Sequence, residues 1–161
     1  MNKKSEEPST IDCEREIHGQ SVDYYLQQLV SLANENEYEI GITLLLGGSV
    51  VSGILIGGRK YFDTFAADFS AAWTGEDKDE IHNSFAAYGD IYDPAKRKQL
   101  PMPPQYIHLQ NARIQFLNGS MPTNGGVLWR GKINAVSGFH LGMLAYGGNN
   151  SFIPKPVYEA A

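Results

Sequence analysis

Residues 38–56 carry the clearest alternation of apolar and polar positions in the chain, with the period of two that is typical of β-strands. Tyr38, Ile40, Ile42, Leu44 and Leu46 alternate in the first half, and Val50, Ser52, Ile54 and Ile56 in the second. Gly47 and Gly48 separate the halves, and glycine reaches the positive φ angles of a tight turn without steric penalty. The pattern therefore predicts an antiparallel hairpin. Gly53, inside the second strand, indicates strong bending or close backbone approach, as in a small barrel.

Three other segments show the helical period of about 3.6 residues. The first begins after Ser21, a residue type favoured at the N-cap, and ends in the sequence NENE at residues 34–37. The second covers residues 62–73, and a weaker third covers residues 76–88 and starts with acidic side chains. The predicted apolar faces are Val22, Tyr25, Leu26, Leu29, Val30 and Ala33; Phe62, Phe65, Ala66, Phe69, Ala72 and Trp73; and Ile81, Phe85 and Tyr88. Prolines and a basic cluster then predict an exposed connection at residues 88–104.

The C-terminal half predicts further strands. In residues 106–117 the alternation changes parity near Gln110 and Asn111, which indicates a β-bulge. Residues 118–126 are predicted to form a loop. Residues 127–135 alternate as a strand, and Ser137 and Gly138 are predicted to turn the chain into a last apolar segment at residues 139–143. The fold class is therefore α+β: a small, strongly bent, barrel-like antiparallel sheet of about five strands, with an N-terminal helix and a helical insertion.

The same patterns predict one domain between two tails. We expect a flexible N-terminal tail at residues 1–18, a single α+β domain at residues 19–146 with its insertion at about residues 60–104, and a C-terminal tail at residues 147–161. A chain of 161 residues is long enough to bury a core of its own.

Charge and cysteine content narrow the classes of protein. The formal net charge of -5 argues against a general polyanion binder, because phosphate contacts need concentrated Lys and Arg. Cys13 is the one cysteine, so an internal disulfide is excluded and a reducing cytoplasm is the expected location. The N-terminus lacks the apolar segment of a signal peptide, and the longest apolar runs are too short and glycine-interrupted to span a bilayer.

Motifs for catalysis, cofactors or metals are not found in the sequence. No phosphate loop, dinucleotide fingerprint or nucleophile elbow occurs. His108 and His140 lie on predicted strands that would be neighbours, but two imidazoles without a carboxylate are not a metal site. Cys13 has no activating histidine beside it, and the acidic run at residues 75–80 is typical of a solvated helix start. We therefore predict no catalytic residues, no cofactor and no metal.

The segment LWRGKINAVSGFHLG, residues 128–142, contains the strongest candidate for a binding surface. Trp129 shares a strand face with Val127 and Ile133, which favours a core position over a surface anchor. Arg130 and Lys132 point to the opposite face and are expected in solvent, where the planar guanidinium of Arg pairs with carboxylates and stacks on aromatic rings. With Arg113 on the preceding strand, these residues form the predicted protein-binding set.

Two resemblances to known families follow from ordered motifs. Gly53, Leu55 and Gly57, with the pair Arg130 and Gly131, resemble the motifs of Sm-like RNA-binding barrels. However, the positions of that family's RNA-contacting Asp and Asn hold Arg59 and Asp63 here, and two helices interrupt the barrel. RNA binding is therefore not expected.

The second resemblance covers most of the chain from about residue 21. The segments GSVVSG, KYFDTF, YIHLQNARI and LWRGKINAVSGFHLG resemble, in order and spacing, the gas vesicle accessory protein U family. This resemblance implies a non-enzymatic cytoplasmic protein that modulates gas vesicle assembly or clustering, by self-association as a homo-oligomer or condensate and by contact with the vesicle shell protein. An Sm-like RNA-binding module or another oligomeric adaptor, and a small-ligand binder or enzyme of unseen type, are the alternatives.

Overall fold

The computed structural model describes residues 22–97, 102–116 and 119–144. The tails predicted at residues 1–18 and 147–161 lie outside the described residues, so the domain boundaries stay a prediction. Of the described helices, none is both long and apolar enough to cross a bilayer.

Helix α1 spans Tyr24–Asn36 and is capped by Asp23, whose Oδ1 accepts a hydrogen bond from the Leu26 backbone N–H at 3.1 Å. The predicted cap at Ser21 is therefore wrong: Asp is an equally good N-cap residue, and it stands next to the first helical residue. Ser21 itself lies outside the described residues. Leu26, Val30 and Ala33 are buried, and Glu37 ends the helix in a left-handed conformation. The end in the NENE segment is confirmed, and so is the apolar face except for Tyr25, which is 60% exposed.

The predicted hairpin is confirmed. Strand β1 spans Ile40–Leu46 and β2 spans Ser49–Ile56, and both glycines of the turn have positive φ angles, 48° at Gly47 and 109° at Gly48. The close approach expected at Gly53 is present as well, because a Cβ there would lie 3.0 Å from the Ala112 Cα atom of the neighbouring strand.

The helical insertion is longer than the sequence predicts. Helix α2 spans Gly58–Ala71, α3 spans Lys78–Ala86, and a 3-10 helix follows over Ala87–Tyr92. Residues 88–92, predicted as part of an exposed connection, are therefore helical, and the Tyr92 ring packs over Gly58, 6.1 Å from the Phe62 ring centre. This correction has a local reason: aromatic side chains anchor a segment whose Gly and Asp residues favour turns.

Strand β3 spans Tyr106–Phe116 and contains the predicted bulge. Its register with the neighbouring strands shifts between Leu109 and Ala112, and Asn111 adopts a φ of 52°. Strand β5 spans Val127–Lys132 and pairs with β3. A short strand β4, Gly119–Met121, also pairs with β3, in the segment predicted to be a loop. The backbone of this segment thus completes the outer edge of β3.

Strand β6, Gly138–Leu141, pairs with β1, so the six strands form one antiparallel sheet in the order β4-β3-β2-β1-β6, with β5 beside β3. The α+β class is confirmed, whereas closure is not: among the described strands, β5 and β6 do not pair. Residues 128–142 are therefore not a hairpin. A 3-10 helix at Ile133–Ala135 connects the two outer strands, and the Ser137 N–H donates to the Leu45 carbonyl at 2.9 Å.

The core lies between α1 and one face of the sheet. It combines Leu26, Val30 and Ala33 of the helix with Ile42, Leu44, Val51, Leu55, Ile107, Leu109, Ala112 and Ile133 of the sheet and its last connection. On the opposite face of the sheet, Ile56 and His108 are fully buried and do not belong to this cluster. Helix α2 covers this second face near His108, since the Tyr61 and His108 rings lie 4.6 Å apart.

Candidate functional site

Strand β5 separates the predicted binding residues onto its two faces. Trp129 lies opposite Leu109 of β3 and packs, half-buried, against the core, as expected. A Cβ at Gly131 would lie only 2.1 Å from the tip of the Trp129 ring, so the indole covers the Gly131 backbone. The Trp-Arg-Gly order thus has a structural basis: glycine leaves room for the ring, and Arg130 points to the other face.

Arg130 is held within a group of aromatic rings on that second face. Its Cζ atom lies 3.6 Å from the centre of the Tyr106 ring and 5.9 Å from that of Phe62, both within cation–π distance. Its Nε–H donates to Nε2 of His108 at 3.2 Å. Arg130 is exposed, as expected, and these three neighbours, which the sequence did not predict, hold its guanidinium in place.

His108 is fully buried below this guanidinium, between the rings of Tyr61, Phe62 and Tyr92. Because Nε2 accepts from Arg130, the neutral imidazole carries its proton on Nδ1, which has no hydrogen-bond partner within the described residues. Burial, and secondarily the charge of Arg130, lowers the pKa of His108 to about 3. Burial also raises the pKa of Tyr61, and Arg130 opposes this shift. Both side chains are therefore uncharged near neutral pH.

A surface groove of about 590 Å³ runs beside Arg130. One wall is the Glu35 region of α1, and the other comprises the 3-10 helix near Asp90 and the residues that precede β3. Ile91 and Met102, 69% and 81% exposed, lie along it with Tyr106. Two ion pairs neutralise most of its charges: Lys96 with Asp90 at 2.9 Å, and Arg97 with Glu35 at 3.8 Å. Hydrogen bonds from Lys96, and to a lesser degree from Arg59, lower the pKa of Asp90.

Lys132 and Arg113 do not join Arg130 in one cluster. Lys132 is exposed, lies opposite Tyr106 in the strand register, and does not line the groove. Arg113 lies five positions from His108 along β3, roughly 15 Å, and beyond the bulge. Its Nε–H donates to the Gly125 carbonyl at 2.6 Å, beside a separate pocket of about 390 Å³. The four predicted residues therefore lie in four different places: Trp129 against the core, and the three basic residues apart from one another.

A second exposed surface lies on the α2–α3 pair. Phe65, Phe69 and Phe85 join the two helices, with ring centres 4.8 Å apart for Phe69 and Phe85 and 5.2 Å for Phe65 and Phe85. Phe69, Trp73 and Tyr88 remain 44%, 45% and 62% exposed. Phe69 lies in the last turn of α2, Trp73 directly follows the C-cap of this helix, and Tyr88 lies on the 3-10 helix after α3. We call these three exposed residues the aromatic surface.

Histidine positions were the weakest part of the sequence analysis. His108 and His140 were expected on neighbouring strands, but β2 and β1 lie between their strands β3 and β6. The burial of His108 among aromatic rings and its hydrogen bond with Arg130 were not predicted. The described residues hold no cluster of three or more His, Cys, Asp or Glu suited to a metal ion.

The comparisons with known proteins give one match. The family model described as gas vesicle protein GvpU-like matches residues 23–144, from the N-cap of α1 to the segment that follows β6. No curated protein and no solved structure matches the chain. The matching family is a gas vesicle family and not a known enzyme family.

Proposed function

The chain belongs to the GvpU-like family of gas vesicle proteins, and from this membership we propose that it is a non-enzymatic accessory protein that clusters gas vesicles. In this role it associates with itself and contacts the vesicle shell protein, and it thereby modulates vesicle assembly or clustering. It works in the cytoplasm beside the vesicles, without a cofactor, a nucleic acid or a membrane as partner. The family match over the whole described domain is the observation that carries this proposal.

The exposed aromatic side chains support the proposal. Tyr88 and Trp73 of the aromatic surface, Arg130 and Lys132 offer stacking and cation–π contacts, each contributing about 0.5–1 kcal/mol at an exposed site. Contacts this weak stabilise an assembly only when many of them form at the same time. A vesicle shell is a repeating lattice, and a self-associated protein presents many copies to it, so avidity converts weak contacts into stable bridges.

The charge of the protein favours a protein partner over RNA, which would be the partner of an Sm-like module. The net charge is -5, and Arg59, at the position of the Sm-like contact Asp, is paired with Asp63 at 2.9 Å and also with Asp90. Because salt screens the repulsion between acidic copies, self-association and clustering increase with ionic strength. Binding that depended on phosphate contacts would decrease instead.

The test uses purified gas vesicles stripped of accessory proteins. We expect addition of the protein to raise light scattering above that of vesicles alone, and the rise to grow across a salt series. The variant carrying Arg130→Glu and Lys132→Glu tests the basic face, with each single variant as its control. We expect the double variant to cluster vesicles less than wild type.

Scattering that stays at the level of the vesicles alone at every salt concentration would contradict the proposal. Normal clustering by the double variant would retain the function and assign shell contact to another surface. Filter binding of uridine-rich RNA at physiological salt with submicromolar affinity would favour the Sm-like alternative.

A further inference from the structure

Arg130 carries a positive charge that no carboxylate neutralises within the described residues. The other two cations of the groove, Lys96 and Arg97, each pair with a carboxylate on its walls. By contrast, Arg130 donates through Nε to a neutral imidazole and stacks on a Tyr106 ring. These contacts leave the two terminal NH₂ groups of its guanidinium without a hydrogen bond among the described residues, and a guanidinium can bind a carboxylate through two parallel hydrogen bonds.

The surroundings of this guanidinium are apolar and already arranged. Ile91 and Met102 expose most of their side-chain surface beside it, and prolines 103 and 104 fix the φ angles of the adjoining backbone. Gln27 of α1 donates to the Pro104 carbonyl at 2.9 Å, which ties this segment to the helix. This hydrogen bond and the two prolines restrict the backbone of residues 103 and 104, which reduces the conformational entropy that binding costs there.

We propose that this groove binds an extended protein segment that places one carboxylate on Arg130 and apolar side chains against Ile91, Met102 and Tyr106. Residues of α1, of the 3-10 helix and of the segment 102–106 line the groove together, so it offers apolar surface and one unneutralised cation side by side, and a protein segment supplies both apolar side chains and a carboxylate. Asp90 and Glu35 are paired with Lys96 and Arg97, so among the described residues of the groove Arg130 is the cation that a ligand carboxylate can neutralise.

The experiment measures binding of a fluorescein-labelled, capped peptide of sequence Leu-Gln-Ile-Glu-Leu by fluorescence anisotropy, using the full chain. The matched probe is the same peptide with its Glu replaced by Gln. We expect the acidic peptide to bind at least about tenfold more tightly than its Gln counterpart, since a hydrogen bond to a charged group exceeds one to a neutral group by this amount. We also expect its affinity to fall as salt is raised.

Two pairs of variants locate the site. Arg130→Gln removes the unneutralised charge, and Lys132→Gln makes the same change of charge on the same strand face, away from the groove. Met102→Gln removes an apolar wall residue, and Met121→Gln changes an exposed methionine on β4. We expect Arg130→Gln to weaken binding about tenfold and Met102→Gln about threefold, while both control variants bind as wild type. Arg130→Lys, which keeps the charge without the planar fork, is expected to fall between wild type and Arg130→Gln.

Several outcomes would overturn the proposal: equal affinity for the two peptides, equal losses in Arg130→Gln and Lys132→Gln, or displacement of the peptide by a uridine oligonucleotide at lower concentration than by unlabelled peptide. Circular dichroism of each variant verifies that it is folded, and the Met102 pair tests the groove without altering the Arg130–His108 contact. No vesicle is present in this assay, so its failure leaves the proposed clustering function standing. Failure of the clustering assay likewise leaves peptide binding intact.

Discussion

At the scale of single residues, the buried imidazole of His108 gives the molecule a specific dependence on pH. Its pKa is about 3 in the folded protein and near 6.5 in the unfolded chain, so below pH 6.5 the unfolded state binds the additional proton. Its contribution to stability is therefore complete above pH 6.5 and is lost as the pH falls from 6.5 towards 3. We expect the His108→Phe variant to lack this loss, which amounts to about 3 kcal/mol at pH 4.

Urea unfolding at pH 7, 6, 5 and 4 gives the free energy of unfolding at each pH. The effect is the difference between wild type and variant in how steeply this free energy falls as the pH is lowered. His140→Phe is the control, because His140 is an exposed histidine on β6. Its stability should follow the pH dependence of wild type. If His108→Phe loses stability between pH 7 and 4 as steeply as wild type, protonation of His108 is not the cause.

Residue identity allowed part of this site to be predicted. Alternation alone placed Trp129 towards the core and Arg130 on the opposite face, because strand side chains alternate strictly. The partner of Arg130 was not predictable in this way. It depends on which strand lies beside β5 and on the helix that covers His108, and both involve contacts between residues distant in sequence.

At the scale of elements, α3 packs mainly against α2 and the following 3-10 helix and not against the sheet. None of its nine residues, all of them described, is fully buried, and Phe85 provides its ring contacts with Phe65 and Phe69 of α2. We expect Phe85→Ala to open residues 78–86 locally while the sheet stays folded, because each aromatic pair contributes about 0.5–1.5 kcal/mol beyond its buried area.

Hydrogen–deuterium exchange with residue resolution measures this opening. Amide protection in α3 should fall by about tenfold or more, whereas β1, β2 and β3 keep the protection of wild type. Phe116→Ala, at the exposed end of β3, is the matched control and should leave α3 unchanged. A uniform loss of protection across sheet and helices in Phe85→Ala would show instead that α3 unfolds only with the whole domain.

Local signals predicted elements best where turn chemistry and periodicity agreed. The hairpin of β1 and β2 and the bulge near Asn111 both depend on residues that tolerate positive φ, and such preferences can be read in the sequence. The 3-10 helix at Ala87–Tyr92 and the strand Gly119–Met121 were missed. Both are short, and packing or strand pairing rather than their own period determines their conformation.

At the scale of the whole molecule, the aromatic surface is the region most suited to association between copies. We expect the double variant Trp73→Ser and Tyr88→Ser to lower the self-association constant about tenfold, because two exposed aromatic contacts are removed from each interface. Sedimentation velocity over a range of protein and salt concentrations gives this constant directly. The prediction rests on the proposed function.

The matched control replaces two aromatic side chains that are similarly exposed elsewhere, Tyr38→Ser and Phe116→Ser, which are 56% and 51% exposed in wild type. We expect this variant to associate as wild type does. Equal weakening in both double variants would mean that association depends on total exposed aromatic area and not on the α2–α3 pair.

The order of strands explains why the closure of the sheet was predicted incorrectly. Residues 128–142 are continuous in sequence and were expected to form adjacent strands, but β5 joins β3 and β6 joins β1 at opposite sides of the sheet. Only residues 133–137 connect them, and part of this connection is a compact 3-10 turn. Such a short connection between opposite sides favours a curved sheet, and the described strands form an open one.

Because β6 pairs with β1, the sheet cannot be completed until the end of the domain has been synthesised. Strand β1 is joined to β2 by a two-residue turn. Its second neighbour in the sheet, β6, is far away in sequence and lies near the C-terminal end of the described residues. At typical translation rates about ten seconds separate the two strands. During that interval the nascent chain presents the outer edge of β1, with unpaired N–H and C=O groups, next to other chains on the same messenger RNA. Ribosome-bound chains of this protein are therefore exposed to edge-to-edge pairing until their last strand has been made.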